Sequence, residues 1–181
     1  MYNRQTRLKP QGEYRRRSHR KEDHDYSSAG YYYSTICTRW HRQFFGDIVD
    51  GQVQLNDVGS IVQATWMSLP ERFPGVTLDR YIIMPNRIHG IIVLPNEYPS
   101  ELFKENKDWT PPSFGAIMRA FKAAATHRIR HTTARRDFAW QSDCYDRVIR
   151  DHVDLHRIRK YIIDNPKNWE EDEFFKKINS P

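Results

Sequence analysis

The sequence predicts an α+β domain in which helices pack on an antiparallel sheet. Three observations carry that expectation. Short runs of β-branched and aromatic residues come in adjacent pairs, 44–49 with 52–55 and 77–84 with 88–94, separated by turn residues. Longer stretches with apolar residues at helical spacing follow those pairs. The order β-β-β-α-β-β-α-(β)-α mixes hairpins with helices placed to cover one face of a sheet.

The elements follow one by one. Tyr31 to Thr38 (YYYSTICT) is aromatic and β-branched, and reads as a strand. Phe44 to Val49 and Gln52 to Leu55 flank Asp50-Gly51, a strong hairpin signal. Val58, Ile61, Val62, Thr65, Trp66 and Leu69 share a helical face that ends near Pro70. Thr77 to Met84 and Ile88 to Leu94 are strands joined through Pro85-Asn86-Arg87, and 95–112 reads as loop. Phe114, Ile117, Met118, Phe121, Ala125 and Ile129 mark a long helix with Ser113 as its N-cap. A short extended piece, Val148-Ile149, precedes a last helix from Asp151 to Asn165, stopped by Pro166, with Leu155, Ile158 and Ile162 as its buried stripe. The chain divides into a flexible basic arm at 1–25, a single domain at 26–169 and a loose tail at 170–181.

Composition narrows the class. A mean hydropathy of −0.85 and 38% hydrophobic residues exclude a membrane protein. The opening Met1-Tyr2-Asn3-Arg4 lacks an apolar signal core, and Cys37 and Cys144 form no framework, so the expected location is cytoplasmic. The net charge of +6 is unevenly spread. Residues 1–25 carry 8 basic against 4 acidic side chains, and residues 113–160 carry 11 against 5. Such blocks point either to a polyanion partner or to a solvated helix face beside a mobile tail.

Two constellations bear chemistry. On the strand 88–94, alternation puts Arg87, His89, Ile91 and Val93 on one face. His89 is either a ligand or a hydrogen-bonded structural histidine, and Gly90 beside it allows close approach of another group. On the last helix, Arg157, Tyr161 and Asn165 lie at i, i+4 and i+8, on a stripe adjoining the buried one. Tyr161 there is either a nucleophile or an amphipathic tyrosine with its hydroxyl bonded locally.

Met84-Pro85-Asn86-Arg87-Ile88-His89-Gly90-Ile91-Ile92 resembles the signature strand of the single-tyrosine HUH transposases, in particular the REP-associated tyrosine transposases. The resemblance runs in order over roughly 15–169. It includes Tyr33 to Thr38, Phe45-Gly46, Leu78-Asp79, Gly115 to Lys122, Trp140-Gln141, Tyr145 to Arg150 and Tyr161 to Pro166. It implies a ferredoxin-like antiparallel sheet with the signature strand at its centre. It further implies that Tyr161 attacks a phosphodiester of single-stranded DNA, leaving a 5′-phosphotyrosine, and that Mg²⁺ or Mn²⁺ sits on the signature histidines and a residue four after the tyrosine. The matching positions are His89 and Asn165. The partners it implies are single-stranded DNA hairpins formed by palindromic repeats.

Two positions depart from that pattern. Arg87 stands where the first signature histidine is expected, and Arg147 where relatives commonly carry histidine. A guanidinium stays protonated and offers no lone pair to a metal. Arg87 is therefore expected to face a phosphate, with Arg119, Lys122, Arg147, Arg150 and Arg157 as further DNA contacts. Tyr31, Tyr32, Tyr33 and Trp40 are candidates for base stacking. Two readings follow: a transposase-like enzyme impaired by a lost ligand, or a DNA-hairpin-binding relative that does not cut.

Overall fold

The computed structural model describes residues 24–142 and 144–172; the arm expected at 1–25 lies almost wholly outside them, as does most of the tail. The strands and helices are β1 (Gly30–Cys37), β2 (Gly46–Val49), β3 (Gln52–Leu55), α1 (Asp57–Met67), α2 (Leu69–Arg72), β4 (Thr77–Met84), β5 (Arg87–Leu94), α3 (Ser100–Glu105), α4 (Phe114–Thr132), β6 (Tyr145–Ile149) and α5 (His152–Asp164). Strands β4, β5, β1 and β6 form one antiparallel sheet in that order, and β2 and β3 form a separate hairpin. The expected α+β class and antiparallel sheet are what the chain adopts. Among the described residues no helix is long and apolar enough to cross a membrane.

Helices cover both faces of the sheet rather than one. The cause is β5, whose residues are apolar on each side. Ile88 and Ile92 join Tyr32, Ile36, Trp66, Phe114, Ile117 and Phe121 in the larger core, beneath α1 and α4. Ile91 joins Tyr33, Ile149, Leu155, Ile158 and Ile162 in a smaller core beneath α5. Strands at the centre of a sheet buried on both faces read as continuous apolar runs, and β5 does so apart from its first residues.

Local chemistry fixes the helix ends. The Ser113 side chain accepts the Ala116 N–H to open α4, and Asp151 accepts the Asp154 N–H at 2.7 Å to open α5. Asn56 does the same for α1 through Gly59. Residues Asn165–Asn168 continue α5 as a 3₁₀ turn containing Pro166. Gly90 permits a close approach, by the indole of Trp66: a Cβ at this position would sit 2.3 Å from its Cζ2. An ion pair ties α5 to β4, with Arg159 donating to both Asp79 oxygens at 2.9 and 2.5 Å. These bonds hold the Asp79 carboxyl below the usual range.

Candidate functional site

Register builds the site. Thr35 of β1 lies opposite His89 on one side and Tyr145 on the other, so His89, Thr35 and Tyr145 form a row across β5, β1 and β6. In the next row Tyr33 lies opposite Ile91 and Arg147. All of these point toward α5, which lays Tyr161 over the rows. The Tyr161 ring meets His89 edge-on at 5.3 Å between centroids and Tyr33 at 6.4 Å. Tyr161 is 50% exposed, and among the described residues its hydroxyl makes no hydrogen bond. It lines a cleft of about 380 Å³ with Thr35, His41, Arg87, His89 and Asp172. A second cleft of about 300 Å³ adjoins the first, sharing Thr35, Tyr145 and Tyr161 and adding Arg147 and Arg157.

Arg87 is 2% exposed, and its guanidinium uses all five of its N–H donors. Nε donates to His89 Nε2 at 2.8 Å. Nη1 donates to Asn86 Oδ1 at 3.1 Å and Asp172 Oδ1 at 3.2 Å. Nη2 donates to Asn165 Oδ1 at 3.0 Å and Asp172 Oδ2 at 2.5 Å. The buried Trp169 ring lies 5.3 Å from the guanidinium carbon. The phosphate-facing role expected of Arg87 is not what the structure holds: the guanidinium is paired bidentately with Asp172, within the segment 170–181 expected as a loose tail.

His89 is set by the same contacts. Because Arg87 Nε can only donate, His89 Nε2 carries the lone pair and the ring proton belongs on Nδ1. Nδ1 lies 2.7 Å from the Tyr33 hydroxyl and 2.9 Å from Thr35 Oγ1. Burial first, and the Arg87 charge second, push the His89 pKa down to about 3. Burial likewise pushes the Tyr33 hydroxyl up. The imidazole is therefore neutral, with both nitrogens committed.

These residues do not fit a divalent ion. Of the ligands that the resemblance implies for Mg²⁺ or Mn²⁺, His89 offers its lone pair to Arg87 and Asn165 offers it its amide oxygen. An ion there would have to take both acceptors while lying against a buried cation. Among the described residues no group of three His, Cys, Asp or Glu is arranged to hold a metal.

The remaining expected DNA contacts separate. Arg147 and Arg157 both bind Asp154, Arg147 at 2.9 and 3.0 Å and Arg157 at 2.8 Å, and together rim the second cleft. Arg150 is exposed just beyond β6. Arg119 and Lys122 lie on α4, which packs on the opposite face; Arg119 is exposed, whereas Lys122 donates to the Gln141 and Ser142 carbonyls at 2.5 and 3.2 Å. Of the aromatic candidates, Tyr32 is core, stacked on Phe114 at 5.1 Å, and Tyr33 is buried beneath α5. Trp40 is 67% exposed, on a turn where Trp40 and His41 have φ of 57° and 54°. His41 reaches Gln141 at 2.8 Å, and both line the first cleft.

Sequence reasoning did not single out Asp172, Asn86 or Asp154 as site residues. Asn86 had a signal, since a buried arginine needs acceptors nearby and Asn86 precedes it. Asp172 had none.

No family model matches the chain. An uncharacterized protein of Haemophilus influenzae (strain Rd) is 36% identical over 172 residues, which cover 91% of this chain and 95% of that one. Among solved structures, a REP-associated tyrosine transposase bound to a REP hairpin superposes with a TM-score of 0.53 at 17% identity, covering 78% of this chain and 69% of that one. The chain belongs to the family of the Haemophilus influenzae protein, and its fold is that of the hairpin-bound transposase.

Proposed function

We propose that the chain binds single-stranded DNA hairpins on a transposase fold, without metal-dependent cleavage by Tyr161. The single observation that carries this reading is the full engagement of Arg87, His89 and Asn165 with one another. Strand cleavage of the expected kind needs a cation with an open position on the scissile phosphate. Here the acceptors such an ion needs are taken by a guanidinium that has no donor left for a phosphate.

Three features support DNA binding. The two adjoining clefts present Tyr145, Tyr161, Arg147 and Arg157 side by side, a mixture of rings for bases and guanidinium groups for phosphates. Trp40 offers an exposed ring on the same turn as His41, which lines the first cleft. The structural neighbour is itself bound to a hairpin. The exposed hydroxyl of Tyr161 favours a second reading, in which slow transesterification persists.

Titration of a labelled hairpin bearing a single-stranded flank, followed by fluorescence anisotropy, tests the first reading. The expected result is binding that weakens steeply as salt rises and is stronger than binding to a blunt duplex of the same stem. Equal affinity for both, or none for either, contradicts it. A denaturing gel of the same mixtures decides the second reading. A covalent adduct that Tyr161→Phe abolishes would establish cleavage.

A further inference from the structure

We propose that Arg87 is the site's own cation, a tethered guanidinium standing between His89 and Asn165 in place of an exchangeable divalent ion. The inference deepens the reading above and rests on it only for what the cleft binds. A divalent ion at such a site would draw the imidazole lone pair and the amide oxygen toward one positive centre and offset a nearby carboxylate. The guanidinium does each of these through N–H groups. Nε takes the imidazole, Nη2 takes the Asn165 oxygen, and the Nη1/Nη2 edge takes both Asp172 oxygens. That edge matches a carboxylate as a fork, a geometry a lysine ammonium does not offer.

Two properties follow from the tether. A guanidinium remains charged throughout the working pH range and cannot be stripped by a chelator. It also joins β5 to the 3₁₀ turn after α5, through Asn165, and to the segment beyond, through Asp172 and the Trp169 ring. An ion-dependent site loses that order when the ion leaves; here it is built into the chain. What the guanidinium lacks is a vacant coordination position, so it organises the cleft without acting as a Lewis acid. Arg87 is a positioning residue.

Mn²⁺ titration of the DNA-free protein, read from the electron paramagnetic resonance signal of free Mn²⁺, tests this directly. Wild type is expected to leave the free signal unchanged. Arg87→His is expected to take up one ion per chain, and to lose it when Asn165→Ala is added. One ion bound by wild type and released by His89→Ala would overturn the proposal. So would a folded Arg87→His that takes up no Mn²⁺. Should Arg87→His fail to fold, the wild-type titration and its His89→Ala control still decide. Neither titration contains DNA, so a failure of hairpin binding would count against the function and not against this result.

Discussion

Arg87 Nε donates to His89 Nε2 at 2.8 Å, so two residues of one strand, separated only by Ile88, form a donor and its acceptor rather than two ligands. The bond fixes the imidazole tautomer and neutralises its capacity to bind a metal. It also explains how a guanidinium that is 2% exposed is tolerated: its charge is matched by Asp172 and each N–H has an acceptor.

Removing one side of that pair should be expensive. Asp172→Ala leaves a buried cation without its counter-ion, and a loss of about 3 kcal/mol in urea unfolding is expected. Asp172→Asn retains one acceptor and should lose less. Equal stability of wild type and Asp172→Ala would mean the pair does not form in solution.

The pH dependence has a defined sign. His89 has a folded pKa near 3 against an ordinary 6.5, so between those values the unfolded chain binds the extra proton. Its contribution is fully present above the ordinary value and is lost as pH falls through 6.5 toward 3. His89→Gln keeps an acceptor for Arg87 but cannot titrate there. Its urea midpoint should fall less than that of wild type between about pH 7 and about pH 4. Parallel pH profiles for the two proteins would show that His89 does not set this pH dependence.

Most strands and the Ser113 cap of α4 were legible because their signals are local. Pro70, expected to end α1, instead lies in α2, and β6 begins at Tyr145 rather than Val148. Alternation in β5 placed Arg87 and His89 together, and the i, i+4 spacing of Tyr161 and Asn165 brought Asn165 to them. The stripe Leu155, Ile158 and Ile162 is buried as the spacing predicted. Non-local pairings were not legible. Asp172 meets Arg87 across 85 positions, and nothing around it is periodic. The segment 95–112 hides the short helix α3, which begins after Pro99 without a side-chain cap. The placement of α5 on the opposite face from α1 and α4 depends on how both sides of β5 are filled, which no single segment states.

Gly90 offers a test of packing. A methyl group there would overlap the Trp66 indole, 2.3 Å from its Cζ2, on the side of β5 away from the cleft. Gly90→Ala is expected to destabilise by about 3 kcal/mol, near the upper end for overpacking. Combining it with Trp66→Leu should give a smaller loss than the sum of the two single changes. Additive losses would show that the two side chains do not compete for the same space.

Trp40 and His41 occupy left-handed backbone, which costs on the order of 1–3 kcal/mol at each non-glycine residue and recurs at binding sites. The turn is held by Thr38 Oγ1 donating to the Arg42 carbonyl at 2.6 Å and by Arg39 N donating to the Ala139 carbonyl at 2.8 Å. If the exposed ring stacks on an unpaired base, Trp40→Ala should weaken binding of a flanked hairpin by roughly 5- to 100-fold, with Trp40→Phe closer to wild type. Affinity for a blunt hairpin should be unaffected. An equal loss on both substrates would assign Trp40 a role in folding instead.

Whether the cleft binds DNA without an exchangeable ion, Arg87 keeping it ordered in the ion's place, is read by titrating one flanked hairpin in EDTA and again in Mn²⁺. The same dissociation constant is expected in both, with no covalent product in either. Binding that requires Mn²⁺, or a Tyr161-dependent adduct that forms only with it, would contradict that expectation.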